Sequence, residues 1–162
     1  MKDESGLDAI ISAFIRYSEF SCIKYEAPGN TIKIEIALQG DFNEDQKLKM
    51  LNNICQTMNL YYKISKIEPT LMKLDVIQPD GVTILRLYRD LRSMREEELG
   101  MFVRLLRQEY PNSLMKDDNN LLFQDFMFGD VKNSILKRIN SSHNYNHIFA
   151  YRDGGRVFVF NK

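Results

Sequence analysis

The chain has 162 residues, of which 44% are hydrophobic and 27% are charged. This length and composition are typical of one globular domain with its own core, and they exclude a disordered or fibrous chain. The 22 Lys and Arg residues balance the 22 Asp and Glu residues, so no net charge attracts nucleic acid or an anionic membrane. Binding of either kind would need a local cluster of charge.

The N-terminal apolar segment is interrupted by Ser12 and Arg16, which makes it too short and too polar for a signal peptide or a membrane span. We therefore expect a cytoplasmic protein with no membrane partner. Cys22 and Cys55 lie far apart and lack CxxC spacing, so neither a zinc site nor a disulfide framework is indicated. We expect both cysteines to be small buried apolar groups.

A helix and a hairpin are predicted at the start of the chain. Apolar residues recur at helical spacing over residues 6–19, where Ser5 and Asp8 resemble a capping box. Two strand-like runs then flank the turn sequence Pro28-Gly29-Asn30. Alternation in the second run places Ile32, Ile34, Ile36 and Leu38 on one face and Thr31, Lys33 and Glu35 on the other. The sheet is therefore expected to have one solvated side.

Residues 41–59 predict a surface helix, with Asp41 and Glu44 in capping positions. Its apolar stripe is predicted to contain Leu48, Leu51, Ile54, Cys55 and Met58. The next residues, LYYKISKI at 60–67, are rich in aromatic and β-branched side chains. They predict a strand that ends at Glu68-Pro69.

The clearest hairpin in the sequence has the turn QPDG, residues 78–81, between two alternating runs. With Gly81 in the left-handed conformation, the predicted pairs are Ile77 with Val82, Asp75 with Ile84, Lys73 with Arg86 and Leu71 with Tyr88. The predicted core face carries Met72, Leu74, Val76, Leu85 and Leu87. The other face carries Lys73, Asp75, Arg86 and Tyr88, which are the candidate binding residues.

A second well-marked helix is predicted after this hairpin. Ser93 and Glu96 form an S-x-x-E capping box, and the helix dipole favours Glu97 and Glu98 in the first turn. Its apolar face is predicted to contain Leu99, Phe102, Val103, Leu106 and Tyr110, before a stop at Pro111.

The last fifty residues carry weaker patterns. Residues 121–129, LLFQDFMFG, fit a helix or a strand, and residues 131–141 fit a helix capped by Asp130. The chain closes with a predicted hairpin around Asp153-Gly154-Gly155. Together these elements predict a single α+β domain over residues 1–162, with a mainly antiparallel sheet and helices packed on one face. Residues 5–110 form its core unit, and residues 111–162 add a C-terminal helix and β-hairpin.

The stretch RLYRDLRSMR places an arginine at every third position: Arg86, Arg89, Arg92 and Arg95. A period of three gives one stripe neither on a helix nor on a strand, so the series must divide. Arg86 and Arg89 should lie on opposite faces of a strand, with Arg92 in the connection and Arg95 in the first helical turn. Nearby acids balance the four charges, which disfavours a phosphate-binding track.

Two further groups of residues have the side chains of possible sites. His143 and His147 are spaced four apart, as two zinc ligands on a helix would be, but no third ligand is evident, so we expect neither a metal nor another cofactor. Glu35, Asp75 and Asp80 could converge as an acid and base pair. Without a neighbouring nucleophile or phosphate loop, a charged sheet face is the better interpretation, and no catalytic residue is assigned.

The order of these elements resembles a family. The leading helix, the hairpin, the helix ending MLNNICQTMN, the strands around LDVIQPDGVTILRLYRDL and the helix REEELGMFVRLLRQEY are similar to the type III secretion chaperone-like proteins, in particular their YbjN-like branch. The resemblance covers residues 5–110. It implies a small α+β domain that often dimerises and binds another protein without catalysis.

The function expected from the sequence is therefore a non-catalytic, cytoplasmic protein-binding or regulatory module, chaperone-like and homodimeric. A first alternative is a nucleic-acid-binding module that uses Lys73, Arg86 and Tyr88 on an exposed sheet face, where the aromatic ring could stack on a base. A second alternative is an enzyme whose residues converge only in three dimensions.

Overall fold

The computed structural model describes residues 2–26, 28–115, 147–153 and 156–161. Within these ranges the chain forms three helices and one six-stranded sheet, in which every strand pair is antiparallel. The helices are α1 (Lys2–Arg16), α2 (Glu44–Ser65) and α3 (Glu96–Glu109). The strands are β1 (Phe20–Glu26), β2 (Thr31–Gln39), β3 (Met72–Ile77), β4 (Val82–Asp90), β5 (His147–Asp153) and β6 (Arg156–Asn161).

The strands lie in the order β3-β4-β2-β1-β5-β6, and the three helices pack on one face of the sheet. The core is continuous between the two layers: Phe14 of α1, Met58 of α2 and Phe102 of α3 belong to one buried cluster with the inner side chains of β2 and β4. The predicted α+β architecture is therefore confirmed.

The first hairpin follows its sequence closely. In β2, Ile32, Ile34, Ile36 and Leu38 are buried, whereas the side chains between them are partly exposed. Asn30 takes a positive φ of 50° in the turn, a conformation that Asn tolerates better than most residues. The alternation of β2 therefore fixes which side of the sheet meets the helices.

Both helix starts predicted in the N-terminal half are wrong in detail. Helix α1 already includes Lys2, so Ser5 lies inside the helix and does not begin it. Helix α2 is capped by Asn43, whose Oδ1 accepts the Gln46 backbone N–H at 2.8 Å. The Gln46 side chain accepts the Asn43 backbone N–H at 2.9 Å in return. This reciprocal pair satisfies two donors, so Asn43 rather than Asp41 or Glu44 sets the start.

The strand predicted at residues 60–67 is also wrong, because α2 continues through this segment to Ser65. The buried stripe of α2 is Met50, Ile54, Met58 and Tyr62, spaced four residues apart. Burial of Tyr62 thus extends the stripe by one turn and overrides the local strand preference of the Tyr-Tyr pair. Leu48, predicted on the stripe, is 60% exposed. Lys66 ends the helix in the left-handed conformation, with φ of 55°.

The β3–β4 hairpin forms with a different register from the predicted one. Ile77 pairs with Ile84 and Asp75 with Arg86, which is two residues away from the expected pairing. Gly81 does take a positive φ, of 78°, but the connection between the paired Ile77 and Ile84 is longer than predicted. Within it, the Gln78 amide donates to the Thr83 hydroxyl and to the Phe42 carbonyl. A slip of two residues keeps every side chain on its face, so the predicted core face is confirmed.

Helix α3 buries Leu99, Phe102, Val103 and Leu106, as its sequence predicts. The predicted capping box does not form, because Arg95 is the N-cap residue and makes no side-chain capping bond. The Ser93 hydroxyl instead accepts a hydrogen bond from the Arg89 guanidinium at 2.9 Å. Tyr110 closes the helix, one residue before Pro111.

After α3 the chain returns to the sheet. Gln39 donates its N–H to the Ser113 carbonyl at 2.6 Å, and Met115 donates to the Ala37 carbonyl at 3.0 Å, so this segment continues the sheet beside β2 where β1 has ended. The predicted C-terminal hairpin is formed by β5 and β6, and β5 pairs with β1. The segments predicted at 121–129 and 131–141 lie outside the described residues. Among the helices that are described, none has the length and apolar character to cross a membrane.

Candidate binding face of the sheet

The four candidate binding residues lie together on the face of the sheet opposite the three helices, which we call the open face. In the β3–β4 hairpin Asp75 stands directly opposite Arg86, and Lys73 directly opposite Tyr88. The Lys73 ammonium lies 5.3 Å from the centre of the Tyr88 ring, a cation–π distance. Strand alternation thus brings the four side chains into one cluster.

Glu35 of β2 joins this cluster from the neighbouring strand. Its carboxylate accepts from Arg86 Nε at 3.2 Å and lies 3.1 Å from the Lys33 ammonium. Arg86 also reaches the Asp75 carboxylate at 3.8 Å on its other side. Arg86 therefore lies between two acids, and Glu35 lies between two cations.

The carboxylates weighed as an acid and base pair have a different arrangement. Glu35 and Asp75 do converge, but they meet at the Arg86 guanidinium. Asp80 lies in the exposed turn between β3 and β4. The Arg86 guanidinium lies between the two carboxylates, so the geometry is that of an ion-pair network.

An aromatic cluster lies at the other end of the open face. The Phe149 and Tyr151 rings of β5 have centroids 5.9 Å apart, and Tyr151 stacks on Phe158 of β6 at 5.1 Å with an interplanar angle of 17°. Sequence reasoning did not assign these residues to a site. Their signal was the spacing of two residues in HIFAYRD, which places alternate aromatic side chains on one face of a strand.

Cys22 lies between the charged cluster and the aromatic cluster. A bulge in β1 places it opposite Glu35 on one side, and it pairs with Tyr151 on the other. Burial, assisted by the negative charge of Glu35, raises the pKa of the Cys22 thiol to about 11. The thiol is therefore protonated at neutral pH. The prediction that both cysteines are buried is confirmed for Cys22 and wrong for Cys55, which is only partly buried.

The arginine series divides as its spacing predicts, since Arg86 lies on the open face and Arg89 on the core face. Arg89 is completely buried. Its Nε and one terminal nitrogen donate to the two carboxylate oxygens of Glu98, at 2.8 and 2.9 Å. Its other terminal nitrogen donates to Asp90, to Ser93 and to the Leu71 carbonyl.

This Arg89 network ties β4 to the start of α3. Its partner Glu98, assigned from sequence only to the helix dipole, is fully buried as well. Burial raises the pKa of Glu98, although the Arg89 guanidinium opposes the rise. For Asp90, burial acts in the same direction, but hydrogen bonds from Ser93 and Leu71 and the charge of Arg89 outweigh it, so its pKa is lowered. Arg89 therefore serves the core and is unavailable to a ligand on the open face.

A pocket of about 600 Å³ lies away from the open face, where α2 ends and the chain turns toward β3. It is lined by Asn59, Tyr62, Lys63, Lys66, Ile67, Glu68 and Pro69. None of the four candidate binding residues lines this pocket. Among the side chains described, no three His, Cys, Asp or Glu residues are grouped as a metal site would require. His147 begins β5, whereas His143 lies outside the described residues.

Comparisons of this chain with protein-family models, with curated proteins and with solved structures found no match.

Proposed function

We infer that this chain is a cytoplasmic, non-catalytic protein-binding module, and that another protein docks on the open face. The observation that carries this proposal is the balance of charge on that face. Its described strand residues include four basic and three acidic side chains: Lys24, Lys33, Lys73 and Arg86 with Glu26, Glu35 and Asp75.

Six of these seven charges pair with one another, and Lys73 lies over the Tyr88 ring, so the excess is a single positive charge. Lys24 lies 3.0 Å from Glu26, and the remaining acids contact Lys33 or Arg86. A polyanion such as nucleic acid is held chiefly by uncompensated cations, whose bound counterions it releases. Because nearly all of these charges on the open face are already paired, a protein partner is favoured over a polyanion. Apolar contacts can hold such a partner without uncompensated charges on either surface.

Apolar side chains adjoin the charged residues in two directions. Ile77 and Ile84 pair directly next to Asp75 and Arg86, at the turn end of β3 and β4, and both are only half-buried. The aromatic cluster of Phe149, Tyr151 and Phe158 lies across the sheet, on β5 and β6. Aromatic residues are enriched at protein interfaces, and energetically dominant contacts concentrate in such clusters. A partner surface with apolar groups facing these two clusters is the chemistry we propose.

The resemblance of residues 5–110 to type III secretion chaperone-like proteins implies the same class of function. The nucleic-acid alternative rests on Tyr88, with Lys73 over its ring, and on the aromatic cluster, since bases stack on aromatic side chains. The two proposals differ in what the Arg86 charge does. It completes an ion-pair network in the first, and it contacts phosphate in the second.

Site-specific photocrosslinking in the cells that naturally make this protein tests the proposal. A photoreactive residue at Tyr88 probes the open face, and one at Leu60, which is 59% exposed on α2, is the matched control on the helix side. We expect Tyr88 to give a cross-link to one defined protein that Leu60 does not give. The purified partner should then bind the Ile84→Asp variant at least about tenfold more weakly than the wild-type chain.

Identical cross-links from both positions would contradict the proposal. The opposing outcome is salt-sensitive binding of a single-stranded oligonucleotide that Arg86→Glu weakens, which would establish the nucleic-acid alternative instead. Circular dichroism of each variant confirms that the fold is retained, so that loss of binding is not loss of structure.

A further inference from the structure

The outer edge of β3 is the feature that carries a further inference. In the sheet order, β3 is a terminal strand, bonded to β4 on one side only among the described strands. An edge of this kind presents backbone N–H and C=O groups in the plane of the sheet, which is a template for another strand.

The direction of the β3 backbone groups follows from one hydrogen bond. Asp90 donates its N–H to the Leu71 carbonyl at 3.3 Å, so this pair bonds inward, toward β4. Bonding direction alternates along an antiparallel strand. Lys73, Asp75 and Ile77 therefore bond to β4, and the backbone groups of Met72, Leu74 and Val76 point to the outer edge.

The side chains of β3 then decide which strand fits. Lys73 and Asp75 project on the open face, whereas Met72, Leu74 and Val76 are half-buried on the helix side. The strand therefore presents one positive and one negative charge, two residues apart, beside three outward-bonding apolar positions. Such a strand is complementary to an antiparallel copy of itself.

We propose that two copies of this chain pair through β3, antiparallel and in register about Leu74. Leu74 then bonds to Leu74 of the second copy, and Met72 bonds to Val76 on either side. Lys73 of each copy stands opposite Asp75 of the other. These are non-hydrogen-bonded positions, where facing side chains are closest.

Charge selects this register from its neighbours. A two-fold axis through position 73 would place Lys73 against Lys73, and an axis through position 75 would place Asp75 against Asp75. Like charges in directly opposite positions destabilise a strand pair, and opposite charges stabilise it. Only the axis at Leu74 gives two pairs of opposite charge.

The existing contacts of Lys73 and Asp75 leave both side chains able to pair with a second copy. Lys73 is exposed and contacts the Tyr88 ring, and Asp75 lies 3.8 Å from Arg86, beyond hydrogen-bond distance. Both can turn toward the edge without loss of a short hydrogen bond. The dimer would join two six-stranded sheets into one and make their open faces continuous. The pairing does not depend on whether another protein binds the open face.

A charge-swap experiment tests the register directly, with mass measured by sedimentation velocity over a range of concentrations. The wild-type chain should have twice the monomer mass of 19.0 kDa. Asp75→Lys places Lys against Lys, and Lys73→Asp places Asp against Asp, so each variant alone should be a monomer. An equimolar mixture of the two should form a heterodimer, and the double swap Lys73→Asp/Asp75→Lys should again be a homodimer.

Two further variants separate this pairing from general effects. Lys49→Asp makes the same charge change as Lys73→Asp on the exposed side of α2, and it should leave the dimer intact. Leu74→Pro removes an outward N–H without disturbing the bonds to β4 and should give a folded monomer. A wild-type monomer at all concentrations, or a dimer that neither single swap dissociates, would overturn the proposal.

Discussion

Arg89 and Glu98 form a bidentate ion pair in which both side chains are fully buried. The pair joins the end of β4 to the first turn of α3. The Tyr62 ring lies 5.2 Å from the Arg89 guanidinium carbon. Desolvating a buried ion pair costs free energy. Removing one partner costs far more than replacing both partners with apolar side chains, because the remaining charge is left buried without a partner.

We therefore expect Glu98→Leu to lower the free energy of unfolding by about 3–5 kcal/mol, because Arg89 would keep its charge in the core without its main partner. The double variant Arg89→Met/Glu98→Leu should be more stable than Glu98→Leu alone, since no unpaired guanidinium remains. Urea denaturation measures all three free energies. Arg86→Met, at the partly exposed pair with Glu35, is the control and should cost about 1 kcal/mol or less. Additive losses in the double variant would contradict this account.

Asp90 gives the fold a dependence on pH of defined sign. Its pKa is lowered below the ordinary value of 3.8, so at acidic pH the unfolded chain binds more protons than the folded chain. The stability that Asp90 contributes is thus complete only well above 3.8, its ordinary pKa, and it is lost progressively as the pH falls toward and through its lowered pKa. We expect the difference in free energy of unfolding between wild type and Asp90→Asn to shrink as the pH falls below about 5.

Denaturation curves at several pH values measure this difference. Asp41→Asn, which removes an exposed carboxylate outside the helices and strands, controls for the loss of one negative charge. If the Asp90→Asn difference stayed constant over this range, the hydrogen bonds from Ser93 and Leu71 would not be stabilising the charged form.

Gly100 allows α3 to approach the end of α1. A methyl group at this position would lie 2.8 Å from the Tyr17 hydroxyl oxygen, closer than packing permits. Alanine gains about 1 kcal/mol over glycine in a helix interior, whereas overpacking costs about 1–3 kcal/mol. We therefore expect Gly100→Ala to leave the wild-type chain unchanged or to destabilise it by up to about 2 kcal/mol.

The same substitution should have the opposite effect in a Tyr17→Phe background. Phenylalanine lacks the colliding oxygen but keeps the edge contact with Phe20 and the face that Arg107 covers. Gly100→Ala should then stabilise the chain by up to about 1 kcal/mol. Thermal and urea denaturation of the four proteins would show this reversal, and the same sign in both backgrounds would refute it.

The two cysteines should differ in reactivity. The pKa of Cys22 is raised to about 11, and that of Cys55 is also raised by burial, but Cys55 is only half-buried at the surface of α2. Because the thiolate is the reactive form, a thiol reagent at neutral pH should modify Cys55 in the folded chain well before Cys22. Reaction rates of Cys22→Ser and Cys55→Ser variants measure each thiol separately. After denaturation the two thiols should be modified at equal rates, which serves as the reference. Equal modification rates in the folded state as well would count against the buried position of Cys22.

The sequence predicts those parts of the fold that depend on alternation along one strand. The buried face of β2 and the core face of the β3–β4 hairpin are confirmed, because a register error of two residues leaves faces unchanged. The same reasoning places Lys73, Asp75, Arg86 and Tyr88 together. Their role in binding stays a prediction.

The errors lie where a distant partner decides the local structure. Residues 60–65 are helical because Tyr62 is buried beneath Arg89, a contact with a strand twenty residues later that no local pattern records. Ser93 caps no helix because the Arg89 guanidinium binds its hydroxyl. Glu98 looks like an ordinary first-turn acid, and only the bidentate bond identifies it as a core residue.

The position of β1 has a consequence for the order in which the chain can fold. β1 bonds to β2 within one short hairpin, but its second neighbour is β5. Cys22 can therefore pair with Tyr151 only after the C-terminal hairpin has been made. While the chain is being synthesised, β1 to β4 and all three described helices are complete before β5 leaves the ribosome. During that interval β5, the described partner of the outer edge of β1, is absent, so aggregation of this protein should begin at residues 20–26 when synthesis of the C-terminal hairpin is delayed.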